Sequence, residues 1–324
     1  PNYDLLTNHV NYSTKPKLIA VVGPTATGKT SLGIDLALQL DGEVVNADSR
    51  LFYYGMDVAT AKPTQNEIKG IPHHLIDFLS PSEQYSLVEY LKKARLVITE
   101  ILDRGKVPIL VGGSGQYVWA IIEGWKVPEI QPDPSLRSHL ELKLAQNGIG
   151  PLAEQLAAIS PITAETTDLR NPRRVIRAIE RVQSKSINSS FTEGRSIDSP
   201  FDHYIVGLMI DRTNLHARVL ERLDSMDKNG WKQEVELLLQ AGYSTKDRAL
   251  SAIGYPQMIS HLNGECDFSE SIRLTAVATN RLIRHQNNWF KQNDTRINWF
   301  DMTRNPKRHT QSIISAATKW LGLK

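Results

Sequence analysis

The sequence predicts an α/β fold: a parallel sheet core, a helical insertion and a helical C-terminal region. Three observations predict it. Short apolar runs alternate with helical patterns over the first ~125 residues; strand signals vanish across 135–183; and a strand-like run returns at 204–210. Strand–helix alternation is the mark of a parallel, doubly wound sheet, and a strand-free stretch within it reads as an insertion.

Taken in order, residues 17–22 (KLIAVV) form a short, β-branched apolar run that stops at a glycine turn, the pattern of a buried strand. From Lys29 to Leu40 the apolar Leu32, Leu36 and Leu40 recur at helical spacing. Residues 43–47 (EVVNA) read as a second strand and residues 74–78 (HLIDF) as a third. Tyr85 to Arg104 reads as a long amphipathic helix that Gly105 ends. Residues 107–111 (VPILV) form another strand, running into Gly112, Gly113, Ser114 and Gly115. Pro128, Pro132 and Pro134 mark a linker, and the Ser- and Asn-rich stretch 184–202 marks a second. After the strand at 204–210, helices are expected from Thr213 to the end, broken around 242–254. The expected division is an arm at 1–16, a core of 17–128 with 200–324, and an insertion at 129–199.

Composition bounds the function without naming it. The 324 residues carry 38 Lys and Arg against 35 Asp and Glu, so nucleic acid could be held only by local clusters of cations. A single cysteine, Cys266, excludes a disulfide framework or a cysteine-based zinc site and points to a reducing, cytoplasmic setting. The polar N-terminal stretch lacks the apolar centre of a signal peptide, and no run has the length of a membrane span. A monomer is expected.

The strongest motif is Gly23-Pro24-Thr25-Ala26-Thr27-Gly28-Lys29-Thr30, a full G-x-x-x-x-G-K-[ST] phosphate loop between a strand and a helix. Its glycines let the backbone wrap so that N–H groups face one anion, and the following helix adds its positive end. Lys29 offers a point charge to distal phosphate oxygens, and the Thr30 hydroxyl suits Mg²⁺. The core is thus expected to be a P-loop-containing parallel sheet.

A nucleotide hydrolase would also need an acidic residue at the end of a neighbouring strand. The strand at 107–111 ends in Val111-Gly112-Gly113-Ser114 with no carboxylate, and the nearest strand-end acid is Asp48. That suits a reaction in which diphosphate leaves and no phosphoryl group moves. A small-molecule or nucleoside kinase, with Asp48 as substrate base, stays open, as does a non-catalytic RNA-binding module.

Further stretches resemble the tRNA dimethylallyltransferase (tRNA isopentenyltransferase) family, bacterial branch. They are Asn46-Ala47-Asp48-Ser49 with Tyr53, Gly55-Met56-Asp57 and Thr60-Ala61-Lys62-Pro63; Pro72-His73-His74-Leu75; Val111 to Gly115 with Tyr117; Asn171 to Arg174 with Arg177; Asp211-Arg212 with Leu215, Arg218 and Arg222; Ala252 to Tyr255; and Ala278 to Arg281 with Arg284. The resemblance covers most of 18–290 in the family's order. It implies dimethylallyl diphosphate as donor, Mg²⁺ as cofactor, and N6 of adenosine 37 in the tRNA anticodon arm as acceptor. It implies Asp48 as the base, Lys29 and Arg222 as catalytic groups, and Arg218 beside the phosphate loop. It also implies tRNA contacts at Asp48, Ser49, Arg50, Leu51, Ser114, Arg173, Arg174, Val175, Ile176, Arg177, Arg281 and Arg284.

The residues themselves leave alternatives. Adenine N6 is a poor nucleophile and needs a carboxylate within hydrogen-bond reach, but Asp48 could instead cap a helix or hold a Mg²⁺ water. Arg218 and Arg222, four apart beside the apolar Leu215, Val219, Leu223 and Met226, could clamp a diphosphate or line a solvated face with Glu221. Arg173, Arg174, Arg177 and Arg181 crowd the face opposite Val175, Ile176, Ile179 and Val182. Arg281 and Arg284 sit in a second basic cluster with Trp289 and Phe290 nearby, which are expected in the core. Tyr53, Tyr117 and Ser49 could receive an extruded base.

Overall fold

The computed structural model describes residues 15–127, 133–184 and 198–323. The expected arm therefore lies outside the described residues up to 14, as do parts of both linkers. The chain divides into two units, one of 1–124 with 196–324 and the other of 125–195. Each boundary lies four residues before the expected 129–199.

The larger unit is built on β1 (Lys17–Val22), α1 (Lys29–Leu40), β2 (Gly42–Asn46), the short α2 (Gln65–Ile68), β3 (His73–His74), α3 (Leu87–Asp103), β4 (Val107–Val111) and α4 (Gly115–Ile122). The smaller unit holds α5 (Pro134–Asn147), α6 (Gly150–Ile159), α7 (Pro161–Thr166) and α8 (Pro172–Gln183). The chain then returns to the larger unit with β5 (Asp202–Met209), α9 (Arg212–Lys228), α10 (Trp231–Gln240), α11 (Tyr255–Leu262), α12 (Phe268–Trp289), β6 (Ile297–Asp301) and α13 (Pro306–Leu321).

Six strands form one sheet in the order β3-β2-β4-β1-β5-β6, with every pairing parallel. β1 lies inside it, and Leu18 to Val22 are fully buried, as a strand covered on both faces requires. Because all strands run one way, the turns that follow β1, β2, β4 and β5 emerge along a single edge, where ligands of open α/β sheets bind.

The structure departs from two expectations. The strand expected at 74–78 is only His73–His74, because Leu75 and Asp77 adopt left-handed φ values of 62° and 49° that break an extended run. The all-helical C-terminal region contains β6, an edge strand that pairs with β5 from Ile205↔Ile297 to Met209↔Asp301. The expected break near 242–254 holds a short 3-10 turn, Arg248–Ser251, before α11.

The smaller unit has its own core. Leu140, Leu152, Leu156, Ala164, Val175, Ile176, Ala178 and Ile179 pack together, with Leu136, Leu144, Ile149 and Val182 against them. Three of its helices, α5, α7 and α8, begin at side-chain caps: Asp133 accepts from Leu136 N–H, Ser160 from Thr163 N–H and Asn171 from Arg174 N–H, each followed by proline in the first turn.

Candidate active site

The site begins at the turn after β1. Gly23 has φ 138°, and a Cβ there would meet Leu208 O at 2.4 Å, so only glycine lets the loop leave the sheet beside β5. The loop is pinned inward: the buried Thr27 hydroxyl donates to Pro24 O at 2.8 Å. The residue before α1, Gly28, caps the helix with no side chain. The first-turn N–H groups of α1 thus keep no side-chain partner and point their partial charge at the loop's mouth.

Three cations converge on this loop. Lys29 Nζ donates to Pro24 O at 2.7 Å. From α9, Arg222 Nη1 donates to Thr25 Oγ1 at 3.1 Å and Nη2 to Thr60 O at 3.0 Å, while Arg218 Nη1 reaches Ala26 O at 3.5 Å. Leu215, Val219, Leu223 and Met226 are buried, so this apolar stripe anchors α9 and sets the two arginines beside it against the loop. The alternative of a solvated face does not apply to Arg222. Burial holds Lys29 down to about 8; Asp48 raises it and Arg222 lowers it further. Arg222 is likewise lowered by burial and raised by Asp48.

Asp48 follows β2, two strands from β1 with β4 between them. Strand spacing sets that offset at roughly 10 Å. The carboxylate caps the 3-10 turn Ser49–Phe52, accepting Arg50 N–H at 3.0 Å on Oδ1. Its charge raises Lys29 and Arg222, and it follows β2 at the sheet edge where the turn after β1 also emerges. The capping alternative is therefore correct and compatible with a base role, since the cap uses one oxygen. Asn46 fixes the turn: its Oδ1 accepts Asp48 N–H at 2.9 Å and its Nδ2 donates to Asp48 O and Leu75 O.

The glycine pair after β4 makes the wall between them. A Cβ on Gly112 would strike Ala47 O at 2.2 Å, and one on Gly113 would strike Gln286 Nε2 at 2.2 Å. Close approach of the Ala47 backbone accounts for Gly112, and the Gln286 side chain fills the space beside Gly113. Ser114, the residue before α4, accepts Ser49 N–H at 3.4 Å. Tyr117, one turn on, is fixed by stacking on Tyr90, with ring centroids 4.2 Å apart, and on Phe52 at 5.9 Å. Burial pushes the Tyr117 hydroxyl up to about 12, with Arg248, Tyr53, Arg50 and Asp48 acting on it. Tyr53 is buried and Leu51 half-buried, while Arg50 Nη1 donates to Ser251 Oγ at 3.4 Å.

The geometry so far is a cation-lined anion cradle, a carboxylate across a glycine wall, and an aromatic floor. The IPP transferase family matches residues 51–293, and the family described as isopentenyl transferase matches 16–85. The chain belongs to the tRNA dimethylallyltransferase family. A tRNA dimethylallyltransferase of Thermomicrobium roseum is 40% identical over 286 residues, covering 88% of this chain and 86% of the relative. One from Salinispora tropica is 42% identical over 285 residues, covering 88% of each. A full-length tRNA isopentenylpyrophosphate transferase from Bacillus halodurans shares the structure with a TM-score of 0.70 and 36% identity, covering 94% of this chain and 96% of that one. A eukaryotic dimethylallyltransferase, described as acting on tRNA, shares the fold at a TM-score of 0.81 and 23% identity, covering 95% of this chain and 80% of that one.

Within this family member, the basic residues sort by exposure. Arg281 and Arg284 lie exposed on α12, and Arg173, Arg174 and Arg177 lie exposed on α8. Arg177 pairs with Glu180 at 3.2 Å. Val175 and Ile176, expected among the tRNA contacts, are 0% and 4% exposed and belong to the smaller unit's core, so their side chains are not a contact surface. Phe290 is in the core as expected, and Trp289 is half-buried, its ring abutting Gly115.

Two supporting residues escaped sequence reasoning. Glu234 on α10 accepts Asp57 N–H and Val58 N–H at 2.6 Å, Ala59 N–H at 3.1 Å and the Tyr255 hydroxyl at 2.8 Å. It holds the loop whose Thr60 carbonyl seats Arg222. Within the same loop the buried Lys62 donates to Tyr53 O at 2.8 Å and to Asp57 at 2.5 Å, and pairs with Asp77. Gln286 on α12 is the other. Its signal was a polar residue in register with the buried Ile283 and Phe290, at spacings of three and four.

Proposed function

We propose that this enzyme transfers the dimethylallyl group of dimethylallyl diphosphate to N6 of adenosine 37 in tRNA and releases diphosphate. The observation that carries the reading is the gathering of Lys29, Arg218 and Arg222 on the phosphate loop, at the same sheet edge where Asp48 follows β2. The diphosphate lies in the loop from Gly23 to Thr30, against its amides, Lys29, Arg218 and Arg222. As the allylic C–O bond breaks, negative charge grows on the departing oxygen, and these pre-placed donors stabilise it. The adenosine leaves its stack at a cost of a few kcal/mol and enters beside Gly112 and Gly113, near Tyr53, Tyr117 and Ser49. The uncommitted oxygen of Asp48 accepts the N6 proton as the C–N bond forms.

Mg²⁺ fits this site. Thr30 is exposed at the first turn of α1, and among the described residues no cluster of three His, Cys, Asp or Glu could cage a metal. Thr30 would hold the ion, which would neutralise charge on the leaving diphosphate. The exposed Arg173, Arg174, Arg177, Arg281 and Arg284, with Ser49, Arg50, Leu51 and Ser114 at the mouth, are the proposed tRNA contacts. We assign action as a monomer in the cytoplasm; among the described residues no helix is long and apolar enough to cross a membrane.

The decisive assay mixes the protein with unmodified tRNA and either dimethylallyl diphosphate or ATP, then weighs the nucleosides. A five-carbon gain on adenosine supports the reading. A phosphorylated product would turn it into a kinase, which the family membership and the glycine wall disfavour.

A further inference from the structure

Gln286 occupies a place that the chemistry above does not use. It is 5% exposed on α12, yet neither end of its amide is idle. Its Oε1 accepts the Thr25 N–H of the phosphate loop at 2.9 Å, and its Nε2 donates to Gly113 O at 3.2 Å. One side chain thus ties the loop after β1 to the turn after β4. The next residue, Ser114, accepts Ser49 N–H, which adjoins the base Asp48. A buried amide bonded at both ends is rigid, because breaking either bond strands a desolvated backbone group. The same helix turns Arg281 and Arg284 outward.

We propose that Gln286 is a positioning residue that sets the spacing between the diphosphate cradle and the glycine wall along which the acceptor base enters. This rests on the reading in the preceding subsection. The amide touches neither the diphosphate nor the base; it fixes the backbone of both walls. In-line transfer requires the reacting atoms to be about 3–3.5 Å apart, and a misplacement near 1 Å costs about 10²-fold in rate.

The test compares wild type, Gln286→Leu and Gln286→Glu in the full chain. The leucine removes both bonds at similar size; the glutamate keeps the acceptor for Thr25 N–H and loses the donor to Gly113 O. Three quantities are read: the single-turnover transfer rate at saturating donor, the affinity for inorganic diphosphate, and the affinity for tRNA. Gln286→Leu should lose about 10²-fold in rate and bind diphosphate more weakly, with tRNA affinity within about twofold of wild type. Gln286→Glu should fall between the two in rate. Wild-type rate in Gln286→Leu overturns the proposal, as does a loss confined to tRNA affinity. If Gln286→Leu does not fold, Gln286→Glu decides alone, and a wild-type rate there overturns the proposal. Failure of wild type to modify tRNA would refute the transferase reading, while the diphosphate arm would still judge Gln286.

Discussion

Asp48 spends Oδ1 on the Arg50 N–H at 3.0 Å, which leaves its second oxygen for chemistry. Asp48→Asn keeps an acceptor for the cap but cannot take a proton. We expect single-turnover transfer to fall by about 10²–10⁴-fold, the usual worth of a general base, with tRNA affinity retained. Unchanged turnover by nucleoside mass analysis would remove Asp48 from that role. Lys29 yields a pH prediction. Burial lowers it to about 8 in the free protein, so its charge fades as pH rises through that value. The bound diphosphate favours the charged form and lifts the group again. So kcat/KM for dimethylallyl diphosphate should decline above pH ~8, whereas kcat should hold to higher pH. A kcat/KM that is flat to pH 10 would contradict this, as would Lys29→Ala retaining wild-type rates, where about 10²–10³-fold loss is expected.

At the scale of elements, the first half of the larger unit was legible because its signals are local. KLIAVV is buried on both faces and needs no partner to be recognised, and the phosphate loop carries its own spacing. β6 was missed because INWFD is an edge strand with a mixed burial pattern, stabilised by pairing with β5 and not by its own periodicity. The strand expected at 74–78 failed where Leu75 and Asp77 turn left-handed, a backbone choice that apolar pattern does not encode. In the site, the loop, Asp48 and Arg222 could be read from sequence and resemblance. Glu234 and Gln286 could not, since both act on backbone amides distant in the chain. α12 gives the element-scale prediction. Arg281 and Arg284 are exposed and, among the described residues, have no ion-pair partner. If each holds a phosphate, Arg281→Ala and Arg284→Ala should each weaken tRNA binding and flatten its log–log salt slope by about 0.7–0.9. The KM for dimethylallyl diphosphate should not move. An unchanged salt slope would place the tRNA elsewhere.

For the molecule as a whole, the phosphate loop and the α8 cations belong to different units, and the smaller has its own core. The loop, Asp48, Arg218 and Arg222 are all in the larger unit, whereas Arg173, Arg174 and Arg177 stand on α8 of the smaller. Val175, Ile176 and Ile179 anchor α8 against Leu140, Leu152 and Leu156, so the arginines are presented only while that core holds. Leu156 is fully buried, and Leu156→Ala should cost about 2–5 kcal/mol of local stability. A lesion there loosens α8 without touching a residue of the phosphate loop. We therefore expect Leu156→Ala to lower kcat/KM for tRNA several-fold and to bring forward a thermal transition. Affinity for inorganic diphosphate and the pH dependence through Lys29 should stay as in wild type. The paired measurement is calorimetric titration of diphosphate beside steady-state kinetics in tRNA. Loss of diphosphate affinity in Leu156→Ala would mean that the two cores fold as one cooperative body and that substrate roles are not divided between them.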